Sequence, residues 1–154
     1  MQLGITTIQR NRAPWIKEWI AFHYLVGFRK FFVFLHRCSD NTEKILIDLK
    51  KNFAIEIVTV DPGLDFPQHA CYQNSYALHG NSIDWMAFID ADEFLFPTQT
   101  DSMETALKEY NDKKEKSNEE NALDKIKDFS RIVSPIILPM IATLVDLDLS
   151  ENKV

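Results

Sequence analysis

The sequence predicts an α/β fold, a mostly parallel sheet with helices on its faces, and three observations predict it. Short β-branched or continuously apolar runs alternate with segments of helical periodicity from Leu3 to Phe96. The runs at 31–35 and 85–89 are unbroken by polar residues, as in strands covered on both faces. Turn signals at Gly27, Asp61-Pro62-Gly63 and Gly80-Asn81 fall between them. A length of 154 residues, 45% hydrophobic and 26% charged, suits one domain with one core and leaves no room for a second full one.

Leu3 to Ile8 is apolar and β-branched and reads as the first strand. A polar loop, Gln9 to Arg12, leads to Pro14, well tolerated in a first helical turn. Trp15, Trp19, Phe22 and Val26, with Ile16 and Ile20 beside them, then mark one face of a helix that Gly27 stops. Phe31 to Leu35 is a buried strand, followed by the polar loop His36 to Asn41. Thr42 can cap a helix carrying Ile45, Leu46 and Leu49, and Ile55 to Val60 follows as the third strand. Past Pro67 a helix is expected from about Gln68 to Leu78, then the strand Trp85 to Ile89, which delivers Asp90-Ala91-Asp92-Glu93 at its carboxyl end. A doubly wound sheet binds its ligands there.

After Pro97 a helical stretch around Ser102 to Tyr110 is expected, so a first domain spans 1–110. Residues 111–128 are a mixed-charge linker or helix, and 129–154 form a divergent segment that matches none of the preceding rhythm. Ile132 to Val145 lacks charge, but Pro135 and Pro139 interrupt it and it is too short to span a bilayer, so a core or irregular apolar piece is expected. The amino terminus shows no signal peptide, which makes the cytoplasm the default location. With 17 Lys+Arg against 23 Asp+Glu and no dense basic cluster, nucleic acid is excluded as a partner. Cys38 and Cys71 lack zinc spacing and are too few for a disulfide framework.

Two carboxylates at Asp90 and Asp92, just past a buried strand, can converge on one hard cation. Mg²⁺ and Mn²⁺ take oxygen ligands, commonly one or two carboxylates plus substrate phosphates, and would neutralise charge on a departing diphosphate. An acidic doublet alone is a weak signal, because such pairs are common on surfaces. The apolar Phe94-Leu95-Phe96 beside this one makes an unpartnered charge costly and favours a cation.

The stretch Phe88-Ile89-Asp90-Ala91-Asp92-Glu93-Phe94-Leu95 resembles the signature of glycosyltransferases related to family 2 and family 92. Arg10-Asn11, Trp15, Glu18-Trp19, Phe22-His23 and Gly27-Phe28 resemble that group's opening strand and first helix. His36 to Thr42 matches the loop after its second strand, and Gln73 with Tyr76 the helix before the D-x-D strand. The resemblance covers roughly residues 2 to 110 and implies a GT-A-like, Rossmann-like half that binds a nucleoside-diphosphate sugar. Carried over by position, it implicates Thr6, Arg10, His36, Asp40, Gln73 and Asp90 in donor binding and Asp90 and Asp92 in holding Mn²⁺ or Mg²⁺. It further implies a hexosyltransferase of polysaccharide biosynthesis acting on a glycan or a lipid-linked acceptor, the latter bringing peripheral association with a membrane. Arg12 stands where the family commonly has an acidic residue. The acceptor-binding half, which supplies the base in inverting members, finds no counterpart after Asn111. A truncated chain that acts only with a partner, or not at all, is therefore the competing expectation, and no catalytic base is assigned.

Other residues read more plainly. His23, one turn after Trp19, is expected to be a packing residue; His69 and His79 lack a metal-binding spacing, and Cys38 lacks a paired base. Glu93 reads as a third metal ligand or an outward-facing charge, and a role in supporting the Asp90 and Asp92 carboxylates is favoured. The aromatic set Trp15, Trp19, Phe22, Phe28, Phe31, Phe32 and Phe34 is read as core. An aspartyl phosphotransferase also uses D-x-D after a buried strand, but that class usually continues with Thr or Val where this sequence has Glu93-Phe94.

Overall fold

A computed structural model of the chain describes residues 1–116, 133–136 and 143–146. Four strands, β1 (Leu3–Gln9), β2 (Lys30–His36), β3 (Ala54–Val60) and β4 (Trp85–Phe88), run parallel in one sheet. Helices α1 (Ile16–Leu25), α2 (Thr42–Leu49) and α3 (Gln68–His79) connect them. Two further strands, β5 (Phe94–Pro97) and β6 (Val133–Ile136), form an antiparallel pair, helix α4 (Met103–Lys116) follows β5, and β7 (Thr143–Asp146) joins the main sheet antiparallel to β4. The strand order is β3-β2-β1-β4-β7.

The sheet separates two apolar layers, and strand alternation decides which residue joins which. Leu3 and Ile5 of β1, Phe31, Val33 and Leu35 of β2, and Trp85 and Ala87 of β4 pack with Ile16, Trp19 and Ile20 of α1, Leu46 of α2 and Met103, Ala106 and Leu107 of α4. Phe32, Phe34 and Met86 face the other way and meet Cys71 of α3, with Ile83 and Val60 completing that smaller cluster. A parallel sheet covered by helices on both faces results.

The stop at Gly27 takes a specific form. The Gly27 N–H donates to the carbonyl of Tyr24 and the Phe28 N–H to that of His23, the paired bonds of a Schellman motif. Gly27 has φ +124°, a conformation that L side chains rarely adopt. Turning here lets the Met103 N–H reach the carbonyl of Val26 at 2.7 Å, so α4 begins against the end of α1.

Several details differ from the sequence reading. Phe94–Pro97, expected as an apolar patch, is strand β5, and the apolar stretch near the carboxyl end contributes β6 and β7. Trp15 precedes α1 instead of lying on its buried face and is 59% exposed, whereas Trp19, Phe28, Phe31, Phe32 and Phe34 are buried as expected. Thr42 opens α2 as its first residue, with Asn41 in the cap position. The remainder of the expected linker and divergent segment, 117–132, 137–142 and 147–154, lies outside the described residues. Among the described residues no helix is long and apolar enough to cross a membrane.

Candidate functional site

Strand order reverses between β1 and β4: β2 and β3 lie to one side of β1, and β4 to the other. At such a switch point the connections leave in opposite directions and open a crevice at the carboxyl ends of the strands. Arg10 leaves β1 at that end, and Asp90 follows β4 there.

The acidic turn after β4 is held from three directions. The buried Glu93 carboxylate accepts the Asp90 N–H at 2.8 Å, while the Glu93 N–H donates to the Asp90 carbonyl at 3.2 Å. Trp19 of α1 donates its indole N–H to the Glu93 carbonyl at 2.8 Å, so a core residue fixes the turn against the helix. Gln68 of α3 donates its amide to Oδ1 of Asp90 at 2.7 Å, and the Tyr72 hydroxyl approaches the same oxygen at 3.5 Å. Burial first, and then the nearby Asp90 and Glu93 charges, push the Tyr72 hydroxyl up to about 12, so it remains a donor at neutral pH. Asp92 points outward, 72% exposed, with Oδ2 at 3.8 Å from the Arg12 guanidinium.

Loops after β1 and β2 are tied together. Asp40 accepts the Ala13 N–H on Oδ2 and the Thr42 N–H and hydroxyl on Oδ1, and the Thr42 hydroxyl oxygen accepts the Arg12 N–H. Asn11, at φ +51°, accepts the Ser39 N–H. Desolvation raises the Asp40 carboxyl, but these hydrogen bonds to its ionised form together outweigh it and hold the group below its ordinary value. Beside this knot lies a cleft of about 360 Å³, lined by residues from β1, β2 and the connection into α3, among them Ile8, Arg10, His36, Arg37, Phe66 and Gln68. That volume lies within the usual range for small-molecule sites. Gln68 belongs both to the cleft wall and to the Asp90 contact, so one side chain joins the cleft to the acidic turn.

The family model for glycosyltransferase family 92 matches residues 3–126. The chain belongs to glycosyltransferase family 92. Family 92 proteins from Oryza sativa subsp. japonica and Ricinus communis are 26% and 27% identical to it over 106 and 96 residues, 69% and 60% of this chain. One from Arabidopsis thaliana is 28% identical over 99 residues. The matches take in 18%, 17% and 17% of those proteins, so the chain spans less than a fifth of the relatives it matches. Among solved structures, S. aureus TarS 1-349 in complex with UDP aligns with a TM-score of 0.53 at 15% identity, covering 73% of this chain and 32% of that one. The same protein in complex with UDP-GlcNAc gives 0.52 at 13%, with the same shares covered. At such identities the likeness is one of fold, and the fold is α/β of the GT-A-like kind.

In this family 92 chain the expected donor-site residues fall into three groups. Arg10 and His36 line the cleft, Asp90 is bonded to Gln68 of its wall, and Asp92 is exposed beside Arg12. Asp40 lies in the adjoining loop, with both carboxylate oxygens taken up in loop hydrogen bonds. Thr6 and Gln73 lie elsewhere: Thr6 is fully buried with its hydroxyl 2.6 Å from that of Ser75, and Gln73 is exposed on α3. Gln68 and Tyr72 are the α3 residues that reach Asp90, and sequence reasoning missed both. A signal was available. Cys71 and Ser75 are small residues of α3 about one turn apart, suited to a sheet contact and buried, and Gln73, two positions past Cys71, lies about 200° round the helix from it. Gln68 and Tyr72, one turn apart, share a face.

Asp90 and Asp92 are the residues suited to a divalent cation. Their oxygens match a hard ion, the hydrogen bonds to the Asp90 carboxylate gather on Oδ1, and Asp92 is open to solvent. Glu93 turns its carboxylate inward to the Asp90 N–H, a supporting position. Among the described residues no group of three His, Cys, Asp or Glu side chains could enclose an ion, so phosphate oxygens and water would have to complete the coordination.

Proposed function

We propose that this family 92 chain is the donor-binding half of a glycosyltransferase. It would hold a nucleoside-diphosphate sugar in the switch-point crevice for transfer to a glycan or lipid-linked acceptor, with Mn²⁺ or Mg²⁺ as the cation. The observation that carries the reading is this link: Gln68 lines the cleft at the ends of β1 and β2 and also binds Asp90. Such a site suits a ligand with a nucleoside at one end and a diphosphate at the other. Support also comes from the family match and from the fold shared with a protein solved with UDP and with UDP-GlcNAc.

Each part of the site has a defined task in this reading. Arg10 and His36 flank the nucleoside, and the cross-tied loops limit how much backbone ordering binding must supply. Gln68 and Tyr72 fix the Asp90 carboxylate. Arg12, close to Asp92, adds positive charge where a diphosphate would lie. A bound divalent cation supplies charge neutralisation of the diphosphate leaving group. No residue of this chain is assigned to activate the acceptor hydroxyl.

Calorimetric titration with UDP and GDP, with and without Mn²⁺, on wild type and Asp92→Ala tests the reading. Metal-dependent binding of at least one nucleotide, weakened about tenfold or more in the variant, is the expected result, since charge-assisted contacts are worth about 1.5–3 kcal/mol. Absence of binding by either nucleotide in the wild type would overturn it.

A further inference from the structure

Phe66 lies on the wall of the cleft and is 95% exposed. Its backbone has φ +54°, left-handed, where a bulky residue other than glycine is uncommon and strained. Neither feature helps the fold, because the ring gains almost no burial in return. The connection carrying it is nevertheless fastened. Arg37, at the end of β2 and itself at φ +53°, donates its Nε–H to the Pro62 carbonyl at 2.8 Å and its Nη2–H to the Asp65 carboxylate at 3.0 Å. Pro67 follows at once and leads into α3. An aromatic face is thus held at the rim of a cleft that also contains Arg10 and a His36 ring nitrogen, Nε2, buried without a partner among the described residues. An aromatic wall, a guanidinium and an unsatisfied ring nitrogen together suit a flat heteroaromatic group with hydrogen-bonding edges.

We propose that Phe66 is the stacking surface for the nucleobase of the donor. The inference rests on the nucleotide-sugar reading above and goes beyond it by giving the β3–α3 connection, rather than only the loops after β1 and β2, the task of gripping the base. It predicts that binding depends on aromaticity at position 66 and only for ligands that carry a base.

Calorimetry with UDP, GDP and inorganic pyrophosphate in Mn²⁺, on wild type, Phe66→Ala, Phe66→Leu and Phe66→Tyr, tests this. Phe66→Ala and Phe66→Leu should weaken the bound nucleotide roughly five- to a hundredfold, the range for losing one base–aromatic stack. Phe66→Tyr should bind as wild type does, and pyrophosphate should bind all four proteins alike. Because the side chain is exposed, thermal melting should not separate the variants. Nucleotide binding by Phe66→Ala or Phe66→Leu as tight as wild type overturns the stacking role while leaving the nucleotide reading in place. A wild type that binds neither nucleotide overturns both.

Discussion

At the scale of single residues, the acidic turn is a case of one carboxylate arranged to free another. Glu93 is only 8% exposed, and its oxygen satisfies the Asp90 N–H. Asp90 is thereby left to meet Gln68 and Tyr72 through Oδ1, and Asp92 to face solvent, on a turn already closed by the Glu93 N–H to the Asp90 carbonyl. Glu93→Ala removes that acceptor and should destabilise the fold by about 1–3 kcal/mol, the usual cost of leaving a buried donor unmet. Glu93→Gln keeps an amide oxygen in place and should recover most of the loss. Urea denaturation of the three proteins checks this, and an Ala variant as stable as wild type would mean that water replaces the carboxylate. Thr6 illustrates the reverse situation, a polar residue whose hydroxyl is used inside the core by its contact with Ser75.

At the scale of elements, the turn from α1 into β2 decides where α4 can dock. Gly27→Ala would force a Cβ into a φ of +124° and bring it near the Met103 and Glu104 backbone, so a loss of about 1–2 kcal/mol is expected. Guanidinium denaturation should show it as a lower midpoint with an unchanged slope. Gly27 was legible as a helix stop, as were the four parallel strands, because apolar runs and turn residues are local signals. Position in the sheet is not local. β5, β6 and β7 are four residues each and have the composition of any apolar loop, so only their partners make them strands. The site divided the same way. The acidic doublet announces itself in sequence, whereas Gln68 reaches Asp90 across 22 positions and Arg12 reaches Asp92 only because the sheet brings the ends of β1 and β4 side by side.

At the scale of the whole molecule, His23 links the first helix to the strand beyond the acidic turn, and its protonation state should set an acid limit on stability. Its Nδ1–H donates to the Trp19 carbonyl at 2.8 Å, and Nε2 accepts the Leu95 N–H at 3.2 Å, so the folded protein needs the neutral ring. Burial, partly offset by the Trp19 hydrogen bond, lowers the group from 6.5 to about 4. Between those two values the unfolded chain binds the proton and the folded chain does not. The stability associated with the neutral ring is therefore fully present above about pH 6.5 and is lost as pH falls toward about 4, with a total change on the order of 3 kcal/mol. Carboxylates begin to titrate at the lower end of this window, so a difference between two proteins isolates the histidine. Urea midpoints measured from pH 7.5 down to about 4.5 should fall more steeply for wild type than for His23→Gln, which lacks the titrating ring. Parallel curves would show that the imidazole charges without disturbing the fold.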